Sequence, residues 1–299
     1  MTTTGRAHDL GYAAGWQLIR LLPERSAVRL FDAAADRAAR RSEHQQLRRN
    51  LSRVLDTTPD RVPAGLVRAS LRSYARYWRE AFRLPRMDPA RLADTIEGSA
   101  TGLEHIRDAV DRGTGAVLAL PHSGNWDLAG IWVVQRIGRP TVVAERLAPE
   151  SLFRRFVRFR EGLGFEIIAR TGDATPPFPT LIDRLHRGRV VGLLGERDPS
   201  SAGVPVTFFG EPARMPSGPA RLAIDTGAPL LPVRCWFTPT GWGFHIDAPV
   251  DTTHGIRQTT QTLADRFAAG IAAHPADWHM FQPLWTADLH NRPERGTVA

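Results

Sequence analysis

From residue 10 to about 93, apolar side chains recur at helical spacing among many arginines, and Tyr74, Tyr77, Trp78 and Phe82 fall along one such stripe. The stripe reads as core or as the lining of an apolar groove. From Gly115 onward the texture changes. Short apolar, β-branched runs at 116–120, 141–144, 165–169, 190–194, 230–233 and 244–246 alternate with helical patterns at 128–136, 152–163, 178–186, 218–226 and 258–273. The alternation predicts an α/β fold, a mixed, largely parallel central sheet flanked by helices, preceded by a helical extension. Residues 1–93 are expected to pack as that extension on a catalytic domain at 94–299.

No run approaches the roughly 20 apolar residues that cross a bilayer. In the stretch 12–31, Trp16, Leu18, Ile19, Leu21, Leu22, Val28, Leu30 and Phe31 are interrupted by Arg20, Pro23, Glu24, Arg25 and Arg29. It reads as helices lying in a membrane interface, apolar side down, or as a helix pair packed on the domain. The net charge of +8 comes from 39 basic residues, every one an arginine, and points to an anionic partner such as a phospholipid surface, a phosphorylated ligand or nucleic acid. No nucleic-acid-binding motif stands out, so that partner is not expected. A single cysteine, Cys235, forms no intramolecular disulfide, and no signal peptide opens the chain, which makes the cytosol the simplest location.

In open α/β sheets, ligands gather beyond the carboxyl ends of strands. Two polar clusters fall there: Pro121-His122-Ser123-Gly124-Asn125-Trp126-Asp127 and Gly195-Glu196-Arg197-Asp198. His122 follows a strand directly, and Asp127 falls in the first turn of the next helix. A carboxylate on the imidazole Nδ1–H would fix the tautomer and leave Nε2 as a general base near neutral pH. A helix-capping Asp beside a structural His is the plainer alternative. A Gly-x-Ser-x-Gly elbow is absent, which argues against a serine hydrolase. His274, Asp277 and His279 lack a convincing ligand spacing, so no metal is assigned.

The string His-Ser-Gly-Asn-Trp-Asp resembles the His-(four residues)-Asp motif of the glycerolipid and lipid A acyltransferase superfamily, in its lipid A late-acyltransferase branch. Further blocks follow in the same order: Ala144-Glu145-Arg146-Leu147, Gly195-Glu196-Arg197-Asp198, Phe208-Phe209-Gly210-Glu211-Pro212 with Gly218-Pro219-Ala220-Arg221, and Thr226-Gly227-Ala228-Pro229. Together they span about 118–233. Within the branch, Gly-Glu-Arg-Asp and the C-terminal Asp277-Trp278-His279-Met280-Phe281-Gln282-Pro283-Leu284-Trp285 look most like actinobacterial phosphatidylinositol mannoside acyltransferases of the PatA type.

The resemblance implies an acyl-CoA donor, a membrane glycolipid acceptor and an anionic membrane surface as partners, with the protein peripheral on the cytoplasmic face of the inner membrane. It implies His122 as base and Glu196 as the carboxylate beside it. Asp127 competes with Glu196 for the orienting role. Acyl transfer from a thioester needs neither cofactor nor metal. Backbone N–H groups of the Ser123-Gly124-Asn125 turn are natural donors to the tetrahedral oxyanion. The Asn125 side chain either adds a donor near the acyl-CoA or caps the helix. Arg160, Arg197 and Arg146 are candidates for the coenzyme A phosphates. Glu145, with Arg146, falls where the family places its acceptor loop. Phe208-Phe209-Gly210 reads as part of an acyl pocket or as a tight turn.

Overall fold

The computed structural model describes residues 19–41, 44–146, 149–172, 176–198 and 202–289. Part of the interfacial stretch, residues 12–18, lies outside the described residues, as does Leu147. After helical residues 19–21 come α1 (Glu24–Ala39), α2 (Gln45–Val54), α3 (Ala64–Arg83) and α4 (Pro89–Ser99). The α/β part follows as β1 (Ala100–Thr101), α5 (Leu103–Asp111), β2 (Ala116–Leu120), α6 (Trp126–Arg136), β3 (Thr141–Ala144), α7 (Glu150–Gly162), β4 (Glu166–Ala169), α8 (Pro177–His186) and β5 (Val190–Leu194). A hairpin, β6 (Val204–Phe208) and β7 (Glu211–Met215), precedes α9 (Gly218–Thr226), β8 (Leu230–Phe237), β9 (Trp242–Ile246), α10 (Gly255–Ala273) and α11 (Thr286–Leu289). Among the described residues no helix is long and apolar enough to cross a membrane.

The main sheet has seven strands in the order β1-β9-β8-β2-β5-β3-β4. β8, β2, β5, β3 and β4 run parallel, and β9 turns back against β8. Side chains alternate across the sheet, as strand geometry requires. Val117, Ala119, Val191, Leu193 and Leu230 face one core, closed by Leu181 and Leu185 of α8, Leu222 of α9 and Phe267 of α10. Ala116, Leu118, Leu120, Val190 and Leu231 face the other, closed by Ile96 of α4, Ile106 of α5 and Ile131 of α6. Strands buried on both faces read as continuous apolar runs, which is the pattern of β2.

The β6–β7 hairpin is an element that the apolar pattern does not show. Pro205 and Pro212 interrupt its strands, and proline is tolerated in so short a ribbon because both strands are edges. Phe209 (φ 49°) and Gly210 (φ 77°) form the two-residue turn, both left-handed as a tight hairpin requires. The tight-turn alternative therefore holds for this block. Phe208 is buried against Trp278 and Trp285 in the first core and lines neither of the cavities described below.

Candidate active site

The strand register brings the two polar clusters together. β2 pairs with β5 so that Leu120 lies opposite Leu194, and Gly195 N–H extends the ladder to the Leu120 carbonyl at 2.9 Å. His122 and Glu196 are each two residues beyond that last pair, so they emerge side by side. β2 and β5 also flank the point where the chain reverses its direction of travel across the sheet: β2 leads toward β3 on one side, β5 toward β8 on the other. Such switch points open a crevice at the strand ends.

Glu196 Oε1 accepts from both His122 Nδ1–H, at 2.6 Å, and His122 backbone N–H, at 2.7 Å. Glu196 is fully buried, whereas the His122 side chain is 36% exposed. Complete burial raises the Glu196 carboxyl, but the charge and hydrogen bonds of His122 outweigh it and hold the group below the ordinary carboxylate value. With Nδ1 fixed, Nε2 is the nitrogen left for a ligand. Of the two carboxylates weighed, Glu196 is the one bonded to the His122 ring. Asp127 is occupied elsewhere: Tyr77 donates to its Oδ2 at 3.0 Å, and Arg160 Nε donates to its Oδ1 at 2.9 Å.

The loop between β2 and α6 is held from several sides. Gly124 takes φ +58°, and a Cβ there would lie 2.6 Å from the Cys235 carbonyl carbon of β8, so any side chain would push the loop off the sheet. Ser123 N–H donates to the Pro121 carbonyl and Gly124 N–H to the Asp277 carbonyl. Those two donors are therefore not available to an oxyanion, contrary to the expectation for this turn. Asn125 is likewise corrected: it is fully buried, its Oδ1 capping α6 at Leu128 N–H (3.3 Å) and its Nδ2 donating to Glu80 Oε2 (2.8 Å). It caps and braces the helix, the second of the two readings of this side chain, and does not line the groove described below.

A groove of about 350 Å³ opens at His122. Tyr74, Tyr77 and Trp78 of α3, Trp126, Phe153 and Phe156 form its apolar wall, and Glu145, Arg160, Arg197 and His279 its polar points. The aromatic stripe of α3 is thus both core and groove lining. Beneath it, between the sheet and α6, lies an apolar cavity of about 100 Å³. Trp126, Val143, Arg160 and Leu194 border both spaces. Arg160, expected on a phosphate, is committed to Asp127; burial lowers its affinity for a proton, but the Asp127 charge raises it above its ordinary value. Arg197 donates to the Pro283 carbonyl at 3.2 Å, at the groove's rim. Arg146 does not itself line the groove; it pairs with Glu150 and lies over Phe153 of the groove wall.

The polar contacts of four residues at the site escaped the pattern: those of Ser73, Tyr77 and Glu80 of α3, and of Asp277. The signal for the first three is a line of polar side chains on the buried face of an amphipathic helix.

An imidazole pinned through Nδ1 to a buried carboxylate, with Nε2 opening on a groove of apolar rings, suits deprotonation of a hydroxyl beside a hydrocarbon chain. On this α/β sandwich, the arrangement is that of an acyltransferase. The sequence model of the bacterial lipid A biosynthesis acyltransferase family matches residues 2–287, and the chain belongs to that family. It is similar to the phosphatidylinositol mannoside acyltransferase of Mycolicibacterium smegmatis, 57% identical over 286 residues that cover 95% of this chain and 93% of the relative. The phosphatidylinositol mannoside acyltransferase of Mycobacterium tuberculosis is 55% identical over 289 residues, 96% of this chain and 92% of the relative.

Proposed function

We propose that this acyltransferase moves a long acyl group, palmitoyl, from acyl-CoA to a mannose hydroxyl of phosphatidylinositol mono- or dimannoside, with His122 as general base. The observation that carries the mechanism is the 2.6 Å bond from His122 Nδ1 to buried Glu196, which leaves Nε2 to the substrate. Nε2 takes the proton of the acceptor hydroxyl as its oxygen attacks the thioester carbonyl. The resulting oxyanion collapses, the C–S bond breaks, and the imidazolium returns its proton to the departing thiolate. Glu196 stabilises that imidazolium and keeps its tautomer. No metal or other cofactor is needed for these steps.

The acceptor rests on the names and high identity of the mycobacterial relatives. The apolar cavity under Trp126, continuous in its lining with the groove, suits a hydrocarbon chain. Glu145 and Arg197, on the groove's edge, are retained as contacts for the sugar and for coenzyme A phosphate. A peripheral position on the cytoplasmic face of the membrane is supported by exposed Leu21 and Leu30 beside exposed Arg25 and Arg29, a pairing suited to anionic lipid.

The test is release of coenzyme A from palmitoyl-CoA with and without phosphatidylinositol mannoside, for the wild type and His122→Ala. Acceptor-dependent release abolished by His122→Ala is the expected result. Release that ignores the acceptor rejects the acceptor, and release that survives His122→Ala rejects the base.

A further inference from the structure

Three of the buried polar side chains of helix α3, at i, i+4 and i+7, are linked to the His122 loop, two directly and one through an intermediary. Glu80 Oε2 accepts from Asn125 Nδ2 at 2.8 Å and from Trp242 Nε1 at 2.9 Å. Tyr77 donates to Asp127 Oδ2 at 3.0 Å, and its ring stacks on Trp126, centroids 4.2 Å apart, while Trp126 meets His122 edge-on at 5.5 Å. Ser73 acts through one intermediary, the segment Asp277-Trp278-His279. Its Oγ–H donates to Asp277 Oδ1 at 2.6 Å, and Phe237 N–H of β8 donates to Asp277 Oδ2 at 2.9 Å. Because Ser73 has only that proton to give, its 2.9 Å bond to His279 is donated by His279 Nε2–H. The same segment then runs antiparallel to the loop, with Ser123 opposite Trp278. His279 N–H donates to the His122 carbonyl at 2.7 Å, and the Asp277 carbonyl accepts from Gly124 N–H at 2.9 Å.

His122 is thus held at both of its backbone polar groups, by Glu196 at N–H and by the C-terminal segment at C=O. Ser73, Tyr77, Glu80 and Asp277 each have their side-chain oxygens bonded, and a buried polar network of this kind contributes rigidity more than stability. What the network fixes is the direction in which the imidazole points.

We propose that the Ser73–Tyr77–Glu80 stripe of α3, with Asp277, is the positioning device of the His122 loop, so that the N-terminal helices are part of the acyl-transfer machinery. The inference rests on the acyltransferase reading above. Ser73, Glu80 and Asp277 do not line the groove, and Tyr77 lines it with its ring while its hydroxyl is turned to Asp127; the polar groups act through His122.

The test compares Ser73→Ala, Tyr77→Phe, Glu80→Ala and Glu80→Gln in the full chain. Misplacement of a reacting group by about 1 Å costs up to ~100-fold in rate, so kcat should fall ~10- to 100-fold with KM for both substrates little changed. Glu80→Gln keeps a carbonyl oxygen for Asn125 and should recover most of the rate. The second readout needs no substrate: the downfield proton resonance of His122 Nδ1–H, identified by its loss in Glu196→Gln, should shift or broaden in Ser73→Ala and Tyr77→Phe. Folded variants with wild-type kcat, an effect on KM alone, or an unmoved resonance overturns the proposal. Should Ser73→Ala or Glu80→Ala fail to fold, the isosteric Tyr77→Phe decides. A wild type inactive on palmitoyl-CoA and phosphatidylinositol mannoside would reject the proposed function, while the resonance still reports on the stripe.

Discussion

Two buried carboxylates, Asp127 and Glu196, flank the same strand-end loop and have opposite kinds of partner. Asp127 has both oxygens bonded, one to Arg160 and one to Arg160 and Tyr77, and its charge is balanced by a guanidinium that stays charged at any pH. Glu196 is buried more completely, but its only described side-chain partner is an imidazole, and its Oε2 has no hydrogen bond among the described residues. A permanently neutralised pair fixes structure. A carboxylate facing a titratable, partly exposed ring instead responds when that ring gains a proton, which is the event a general base undergoes. Position within the His-x4-Asp motif therefore does not single out the carboxylate that meets the imidazole, and the role proposed for Glu196 follows from the chemistry of its partner.

The comparison breaks first at His122 and Glu196. His122→Ala should lower kcat by at least ~10³-fold, at the upper part of the range for general-base loss. Glu196→Gln should lower it by ~10²- to 10³-fold while the protein remains folded, because a glutamine offers Nδ1 either a weak acceptor or a competing donor and no longer balances the imidazolium. Steady-state rates of coenzyme A release give both values, and a Glu196→Gln rate near wild type would remove that carboxylate from the mechanism.

Asp127→Asn should show the reverse emphasis. It leaves the Arg160 guanidinium, 19% exposed, without a countercharge, a change that costs roughly 3–5 kcal/mol at buried pairs. Denaturant unfolding should place Asp127→Asn well below Glu196→Gln in stability. The distinction sharpens if the double variant Asp127→Asn/Arg160→Met regains stability, since removing both charges removes the orphan. Should Asp127→Asn leave stability intact and abolish kcat in folded protein, the roles assigned to the two carboxylates would be exchanged.

Most of the sheet was legible because β2, β3, β5 and α9 occupy the segments where the apolar and helical patterns place them. β8 runs on to Phe237, past the apolar run, because Arg234, Trp236 and Phe237 pair with β9 while lying only partly buried. The His122 and Glu196 clusters were legible as strand-end loops, but their meeting depends on the Leu120–Leu194 register, which no local pattern encodes. The part played by α3 was hidden for a similar reason. Ser73, Tyr77 and Glu80 bond residues 204, 50 and 45 positions away, and in sequence they look like an ordinary aromatic and charged helix. Asn125 and the Ser123-Gly124 amides misled because donor-rich turns at helix starts are used for capping as readily as for anions, and only the Asp277 and Glu80 contacts distinguish the two uses.

A third buried titratable group, His279, gives the smallest predicted effect and tests the same contrast from the basic side. Burial, reinforced by the nearby His122, lowers its imidazole from 6.5 to about 3, so it is neutral at pH 7, where Glu196 carries its charge. A histidine with a depressed folded value stabilises the fold fully above its unfolded value, and that contribution is lost as pH falls, because the unfolded chain takes the proton first. The window runs from about 6.5 down to about 3. Within it, stability should decline by about 1.4 kcal/mol per pH unit, or about 2 kcal/mol between pH 6.5 and 5. The Glu196 carboxylate, held below its ordinary 4.5, adds its own loss only at more acid pH, so the two slopes separate. His279→Gln keeps an amide donor for Ser73 and has nothing to titrate. Denaturant unfolding at pH 7, 6 and 5 should therefore show a wild-type decline that His279→Gln lacks. Parallel curves for the two proteins would mean that His279 takes up a proton in the fold as easily as in water, and with it that the groove wall beside His122 carries a positive charge of its own.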